Sequence, residues 1–433
     1  MKTSAITLPN IKRVVSVFIL RCQNNHDGAQ VALFRRCSQM PTFGGHWAAI
    51  SGSIEAHDAS PLAAAVREVG EETNLGELFG DYDHLLQSGL HVDVAREHSK
   101  GTFGGRMIRV YPFALTLPAE DSYLLSKIEM RGTEHDEMKF MTVHDFLTMN
   151  LQCVPSLKRA FHHATSGTYL DLPQEIRDWE GDRDNGAAYL ARKAVDLAAA
   201  HTQNGELLTG ELSMAQSIAI LRPSMVPIVN VMNEFDQRIT HEGYDKIEQI
   251  RHELLKSLTD ESHRCVELGY ELLLNMLESK ASSTEFVVGT FSRSSTLKSI
   301  LKRIIESLDD APKVRVVCSQ STPGDEGMLM ATDISSASYM PDDEFQQQIL
   351  DGKIDVVIVG ADCVLSEKNE VVNKIGTAEL ASVCKQAGVP ILSSADRWKL
   401  WSDIYCPPLE VIFELIPSEL FDHVLVPKDA EEQ

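Results

Sequence analysis

The stretch Gly52 to Leu75, GSIEAHDASPLAAAVREVGEETNL, constrains this 433-residue chain more than any other. Glu68, Glu71 and Glu72 stand at positions i, i+3 and i+4, which an α-helix brings onto one face. Carboxylates at that density repel, so a helix carrying them needs a compensating cation. Arg67, four residues before Glu71, answers for one carboxylate. The remaining negative charge suits a divalent ion held through oxygen, as Mg²⁺ is in phosphate-handling sites. Asp58 and Ser60 offer caps and Pro61 suits a first turn, so a helix start is written in. Leu62, Ala65, Val66 and Val69 recur at helical spacing and are expected to bury the opposite side. A solvated acidic face is the plainer alternative, and the three glutamates alone leave it open.

The order of residues carries further. Gly52-x5-Asp58, then Arg67-Glu68-Val69-x-Glu71-Glu72-x-Asn74-Leu75, resembles the Nudix box. That strand-loop-helix-loop signature belongs to enzymes hydrolysing nucleoside diphosphates linked to another group. Arg67, Glu68, Glu71 and Glu72 match the motif's core one by one. Asp58 stands where the family has Glu, the spacer before Arg67 is one residue longer, and Asn74 replaces a Gly. Asn tolerates the left-handed backbone a Gly would supply. The resemblance implies an α+β fold, a mixed sheet between helices. It also implies Glu68, Glu71 and Glu72 as ligands of catalytic Mg²⁺ or Mn²⁺, with Arg67 orienting them. The substrate class it implies is a nucleotide derivative. Such enzymes often recruit one more Glu, for which Glu134 and Glu137 are candidates; a solvated loop explains either equally simply. His46 and Trp47 suit a base or sugar pocket, or a buried Trp beside a capping His.

Length calls for two or three domains. Hydrophobic residues at 43% and charged at 24% are those of a soluble globular protein. No run reaches the roughly 18 apolar residues of a membrane span, and the first residues are too polar for a secretory signal. Eight cysteines without CxxC pairs argue for reduced thiols in a cytoplasmic protein, and against a disulfide framework or a zinc site. A formal charge of −23 argues against non-specific nucleic-acid binding.

Along the chain, residues 13–21 and 30–36 read as a hairpin, and 90–94 and 106–117 as further strands. A short helix over 142–149 closes a first domain spanning 1–165. Residues 166–186 read as a polar linker with one helical turn near Ile176. A helical subdomain follows over 187–280, broken at Pro223 and Pro227 and carrying one or two helices across 244–279. From 281 to 433 short β-branched runs (285–289, 313–318, 354–360, 390–393) alternate with helices at 294–308, 343–351 and 373–387. That pattern argues for a parallel sheet covered on both faces, with ligands beyond the strands' carboxyl ends. Asp362 ends one such strand and is a candidate acid or base. Asn373 and Lys374, read as opening the next helix, make an anion site there. The alternative is that Asp362 orients loop amides and Asn373 is a cap.

Three motifs, RPSMVPIVN (222–230), GAD (360–362) and NKIGT (373–377), resemble the translation initiation factor 2B alpha/beta/delta family, over about 187–433. The family includes ribose-1,5-bisphosphate and methylthioribose-1-phosphate isomerases. The resemblance implies a helical subdomain before a Rossmann-like domain, and a homodimer formed through this half. It also implies a sugar-phosphate ligand, with Asp362 catalytic and Asn373 and Lys374 binding substrate. Arg222 is a further phosphate-binding candidate; in non-catalytic relatives it is structural. The isomerases also use a Cys on the first sheet loop and an Arg on the second. Here those loops read GTFSRSST, without Cys, and SQSTPGDEG, without Arg. The expectation is a hydrolase fused to a domain that binds a sugar phosphate or nucleotide. An isomerase and a non-catalytic dimerisation module remain the alternatives.

Overall fold

In the computed structural model, the described residues are 11–21, 28–80, 82–95, 107–117, 126–202, 212–280, 285–307, 314–334 and 337–427. The turn expected at 24–27 and the strand residue Arg106 lie outside them. Contacts divide the chain into two units: 1–173 with 202–223, and 174–201 with 224–433.

The first unit is built on an eight-stranded mixed sheet. Its strands are β1 (Lys12–Arg21), β2 (Gln30–Arg36), β3 (Trp47–Ala48), β4 (Ile50–Ser53), β5 (Leu86–Ser88), β6 (Val92–Ala95), β7 (Met107–Leu117) and β8 (His135–Thr142). β1 runs parallel to β7 from Lys12↔Ile108 to Arg21↔Leu117, and antiparallel to β2 and β4. Six consecutive buried residues of β1, Val15 to Leu20, mark it as central, covered on both faces. Helix α1 (Pro61–Glu72) follows β4, and α2 (Leu75–Phe79) follows α1. Two further helices are α3 (Val143–Thr148) and α4 (Leu157–Ala164). Phe161 of α4 meets Phe18 and Phe146 edge-on, with ring centroids 5.4 and 5.3 Å apart. Each such pair adds about 0.5–1.5 kcal/mol beyond the area it buries.

Residues 166–186 hold more than one turn. Helix α5 (Gln174–Gly181) buries Ile176 and Trp179, and the Trp179 indole donates to Leu190 O of α6 (Ala187–His201) at 3.1 Å. A polar composition masked two large apolar anchors there. Helix α7 (Met214–Leu221), opened by a Ser213–Gln216 capping box, groups with the first unit. The chain breaks after it and restarts as α8 (Val226–Glu242), with Pro227 in the first turn. The amphipathic run beyond is a single 33-residue helix, α9 (Ile247–Ser279).

The second unit's sheet is parallel throughout and runs β11-β10-β9-β12-β15-β18. These strands are β9 (Phe286–Phe291), β10 (Val314–Ser319), β11 (Ala337–Met340), β12 (Val356–Gly360), β15 (Ile391–Ser394) and β18 (His423–Leu425). Helices α10 (Ser295–Glu306), α11 (Glu326–Asp333), α12 (Asp342–Leu350) and α13 (Thr377–Ala387) connect them. The order reverses at β9 and β12, the switch point where such sheets take ligands. A second sheet, β16-β13-β14-β17, is formed by β13 (Cys363–Leu365), β14 (Glu370–Lys374), β16 (Leu400–Trp401) and β17 (Phe413–Pro417). It corrects the expected helix at 373–387. Asn373 and Lys374 end strand β14, paired antiparallel with Glu414 and Phe413, and the helix starts only at Thr377. Asn230, last of the RPSMVPIVN motif, donates to the carbonyls of Trp398 and Leu400, tying α8 to the segment after β15.

Candidate functional site

Helix α1 starts where its sequence dictates. Ser60 caps it by accepting from Ala63 N, and Pro61 occupies the first turn. Its buried face is Ala64, Ala65, Glu68, Val69 and Glu72, whereas Leu62 is exposed and Val66 half-buried. The helix therefore turns two of its three glutamates inward. Arg67 binds them together. Its Nε and Nη2 donate to the two oxygens of Asp58 at 3.1 and 2.8 Å, and Nη2 also donates to Ser53 O at 2.9 Å. Nη1 donates to Glu68 at 2.7 Å and more weakly to Glu71 at 3.4 Å. The two-pronged hydrogen bond from Arg67 holds the Asp58 carboxyl down at about 2, and the same bond raises the guanidinium. Asp58 reaches its arginine across the longer spacer. Burial raises the Glu68 carboxyl, with Arg67 opposing. Gly52 makes room for it: a Cβ there would stand 1.9 Å from Glu68 Oε1.

Asn74 is not left-handed, at φ −90° and ψ 18°. Its side chain donates to Lys127 O and accepts from Glu129 N, while Arg131 N donates to Glu72 O. These bonds stitch 127–131 to the end of α1 and deliver His135, at the head of β8, beside Glu72. The His135 Nδ1 lies 3.0 Å from Glu72 Oε2, and both side chains are buried. That proximity is not an aligned hydrogen bond, because neither Glu72 oxygen receives one, nor does His135 Nε2 have a partner. Of the expected extra acids, Glu134 is exposed and Glu137 is committed to Arg35 at 2.7 Å. His135 between them is the residue the sequence did not reveal, being 63 positions beyond Glu72 with no motif to connect them.

A buried carboxylate without a donor is costly unless something positive completes it. Glu72 therefore fits a divalent cation, which Glu68 and Glu71 would help to hold. Among the described residues no three His, Cys, Asp or Glu side chains already converge as a cage. Glu68 is engaged by Arg67, and Glu71 points largely to solvent. A cation bound there supplies charge neutralisation and a more acidic bound water.

His46 lies against the Gly44 carbonyl and Gln152, and Trp47 is half-buried in β3, as a structural pair would be.

In the second unit, the loops after β9, β10 and β14 meet at Lys374. This buried ammonium donates to Ser321 O at 2.7 Å and pairs with Glu326 Oε2 at 2.9 Å. Ser292 Oγ donates to the same Glu326 oxygen at 2.6 Å, and Ser292 N donates to Ser321 Oγ. Asp342 holds the second loop through the amides of Ser321 and Thr322. Asn373 is buried and its amide is directed at Thr377 Oγ1, 3.2 Å away. Asp362 follows β12. Burial raises its carboxyl; Lys399 opposes, and Glu326 and Glu410 add to the rise. Arg222, buried at the end of α7, groups with the first unit, whereas Asp362, Asn373 and Lys374 belong to the second. Arg293 and Lys298 both pair with Asp333. Cys318 is buried inside β10, its thiol pushed up to about 12 by burial.

Comparison with known proteins also finds two regions, the second of which includes residues 202–223 that group with the first unit. A family model described as a NUDIX domain matches residues 12–163, and one described as the initiation factor 2 subunit family matches 184–423. Ribose 1,5-bisphosphate isomerase of Archaeoglobus fulgidus is 26% identical over 237 residues, 53% of this chain and 71% of its own. Methylthioribose-1-phosphate isomerase of Schizosaccharomyces japonicus is 26% identical over 235 residues, 49% and 62% of the two chains. An uncharacterized Nudix hydrolase of Rhodococcus erythropolis is 31% identical over 91 residues, 21% of this chain and 46% of its own. Among solved structures, the translation initiation factor eIF-2B of Pyrococcus horikoshii aligns with a TM-score of 0.48 at 20% identity, covering 58% of this chain and 95% of that one. With more than half of its length matched by one family model, the chain belongs to the initiation factor 2 subunit family, and it carries a NUDIX domain ahead of that region.

Proposed function

We propose that the first unit is a metal-dependent hydrolase cleaving the diphosphate of a nucleoside-diphosphate-linked compound. The observation that carries this reading is Glu72, a buried carboxylate without a donor at the end of a helix whose other glutamates are marshalled by Arg67. Arg67 keeps Asp58, Glu68 and Glu71 in one cluster, and Glu68, Glu71 and Glu72 hold Mg²⁺ or Mn²⁺. The second unit binds a sugar phosphate or nucleotide at the Lys374 loops and pairs with another copy of the chain in the cytoplasm. An isomerase reading is favoured by Asp362, a carboxyl raised by burial at a strand end. The absence of Cys from the first loop weighs against it. Purified protein with Mg²⁺ or Mn²⁺, offered a panel of nucleoside diphosphate derivatives, should release phosphate-bearing products from at least one. Glu72→Gln should abolish that release with the fold intact; full activity in this variant would refute the assignment. Asp362→Asn tests the second reading, through turnover of ribose 1,5-bisphosphate or methylthioribose 1-phosphate.

A further inference from the structure

We infer that His135 is a nitrogen ligand of the ion held by α1, so that the site is mixed imidazole–carboxylate and selects Mn²⁺ over Mg²⁺. This rests on the reading of α1 as a cation site. Three observations converge on it. The His135 ring and the Glu72 carboxylate are both buried, with Nδ1 and Oε2 3.0 Å apart. Neither Glu72 oxygen accepts an aligned hydrogen bond, so the imidazole and the carboxylate face each other without one closing between them. Adjacent donors on an octahedral ion with bonds of about 2.1 Å stand about 3.0 Å apart, so the observed spacing accommodates a shared cation without moving either group.

The local fold aims the ring. Pairing of β2 with β8 slips between Arg35 and Arg36, so that Arg35 opposes Glu137 and Arg36 opposes His135. A bulge of this kind re-aims a side chain. The His135 ring then rests on buried Phe34, centroids 5.6 Å apart, with a fixed edge toward Glu72. On the far side, the Arg131 and Asn74 bonds fix the register of the incoming strand. Imidazole is a poor partner for Mg²⁺, which prefers oxygen and keeps its waters. It is a better one for later divalent ions, and Mn²⁺ accepts both donor types.

The test uses the full chain and the metal ions alone. Calorimetry should give Mn²⁺ an affinity at least about tenfold above Mg²⁺. His135→Phe should remove that advantage, lowering Mn²⁺ affinity about 10- to 100-fold while Mg²⁺ stays within about twofold. Spin-echo modulation of bound Mn²⁺ should show an imidazole nitrogen in the native protein and none in the variant. If His135→Phe unfolds, His135→Gln keeps a polar side chain without an imidazole and should lose the same nitrogen signal. Bound Mn²⁺ without a nitrogen signal, or equal losses for both metals, overturns the inference and leaves the cation site standing. Failure of the native protein to bind either ion overturns both.

Discussion

The two units carry polar clusters of opposite character. At α1 the chain presents a buried carboxylate that accepts no aligned hydrogen bond and faces the His135 ring at 3.0 Å, and two more glutamates leaning on one arginine. At the β9, β10 and β14 loops the buried Lys374 ammonium is already satisfied by a carbonyl and a carboxylate. One cluster leaves a buried carboxylate without a hydrogen bond, as the proposed cation would require. The other has built its counter-ion in, with Glu326 paired to Lys374 at 2.9 Å. Unsatisfied buried charge implies a ligand more directly than charge alone does.

Acid should separate the units most. Burial holds His162 down at about 4 and His163 down at about 3, both in α4 of the first unit. The unfolded chain takes up these protons near pH 6.5, so protons favour unfolding below that point. Stability of the first unit is thus lost as pH falls from about 6.5 toward 4, by about 3 kcal/mol for His162 alone. The second unit's Asp362 is raised, so its contribution is fully present at low pH and declines as pH rises through its elevated value. Calorimetric scans from pH 7.5 to 4.5 should show an early transition moving down, and a later one holding or rising. Parallel shifts in both would count against the contrast.

Gly52→Ala comes next. Its Cβ would collide with Glu68, and displacement of about 1 Å costs about a hundredfold in turnover. The variant should melt near the native temperature yet hydrolyse at least about a hundredfold more slowly. Glu326→Gln should act oppositely on the other cluster. It removes the charge facing Lys374, so affinity for ribose 5-phosphate, followed by calorimetry, should rise about tenfold, or about 1.4 kcal/mol. Equal affinity in the two proteins would mean that Glu326 does not compete with the ligand.

Which parts were legible follows from how local their causes are. The α1 glutamates, the Ser60 cap, the first hairpin and the alternation of strands with helices are written within a few residues of themselves. The role of Asn74 lies in bonds to Lys127 and Glu129, more than fifty residues away, and nothing near it in sequence signals them. Asn373 and Lys374 lie beyond the local β13–β14 hairpin and are held in strand only by β17, some forty residues downstream. His135 needed both the stitched segment and the bulge to reach Glu72. None of these three could be found by periodicity.

The smallest effect sharpens the contrast most directly. Replacing Glu72 with Leu removes a buried carboxylate that accepts no hydrogen bond, and with it the desolvation penalty of that charge. In metal-free buffer Glu72→Leu should raise the first unit's melting point by about 2–4 °C. Lys374→Met removes an ammonium that is bonded to a carbonyl and paired with a carboxylate, and should lower the second unit's melting point instead. Adding Mn²⁺ should then lift the native first unit and leave Glu72→Leu unmoved, because only a cluster that binds the ion gains from its presence. If Glu72→Leu instead lowers the metal-free melting point, the carboxylate is stabilising the fold, and the case for a missing cation loses its footing.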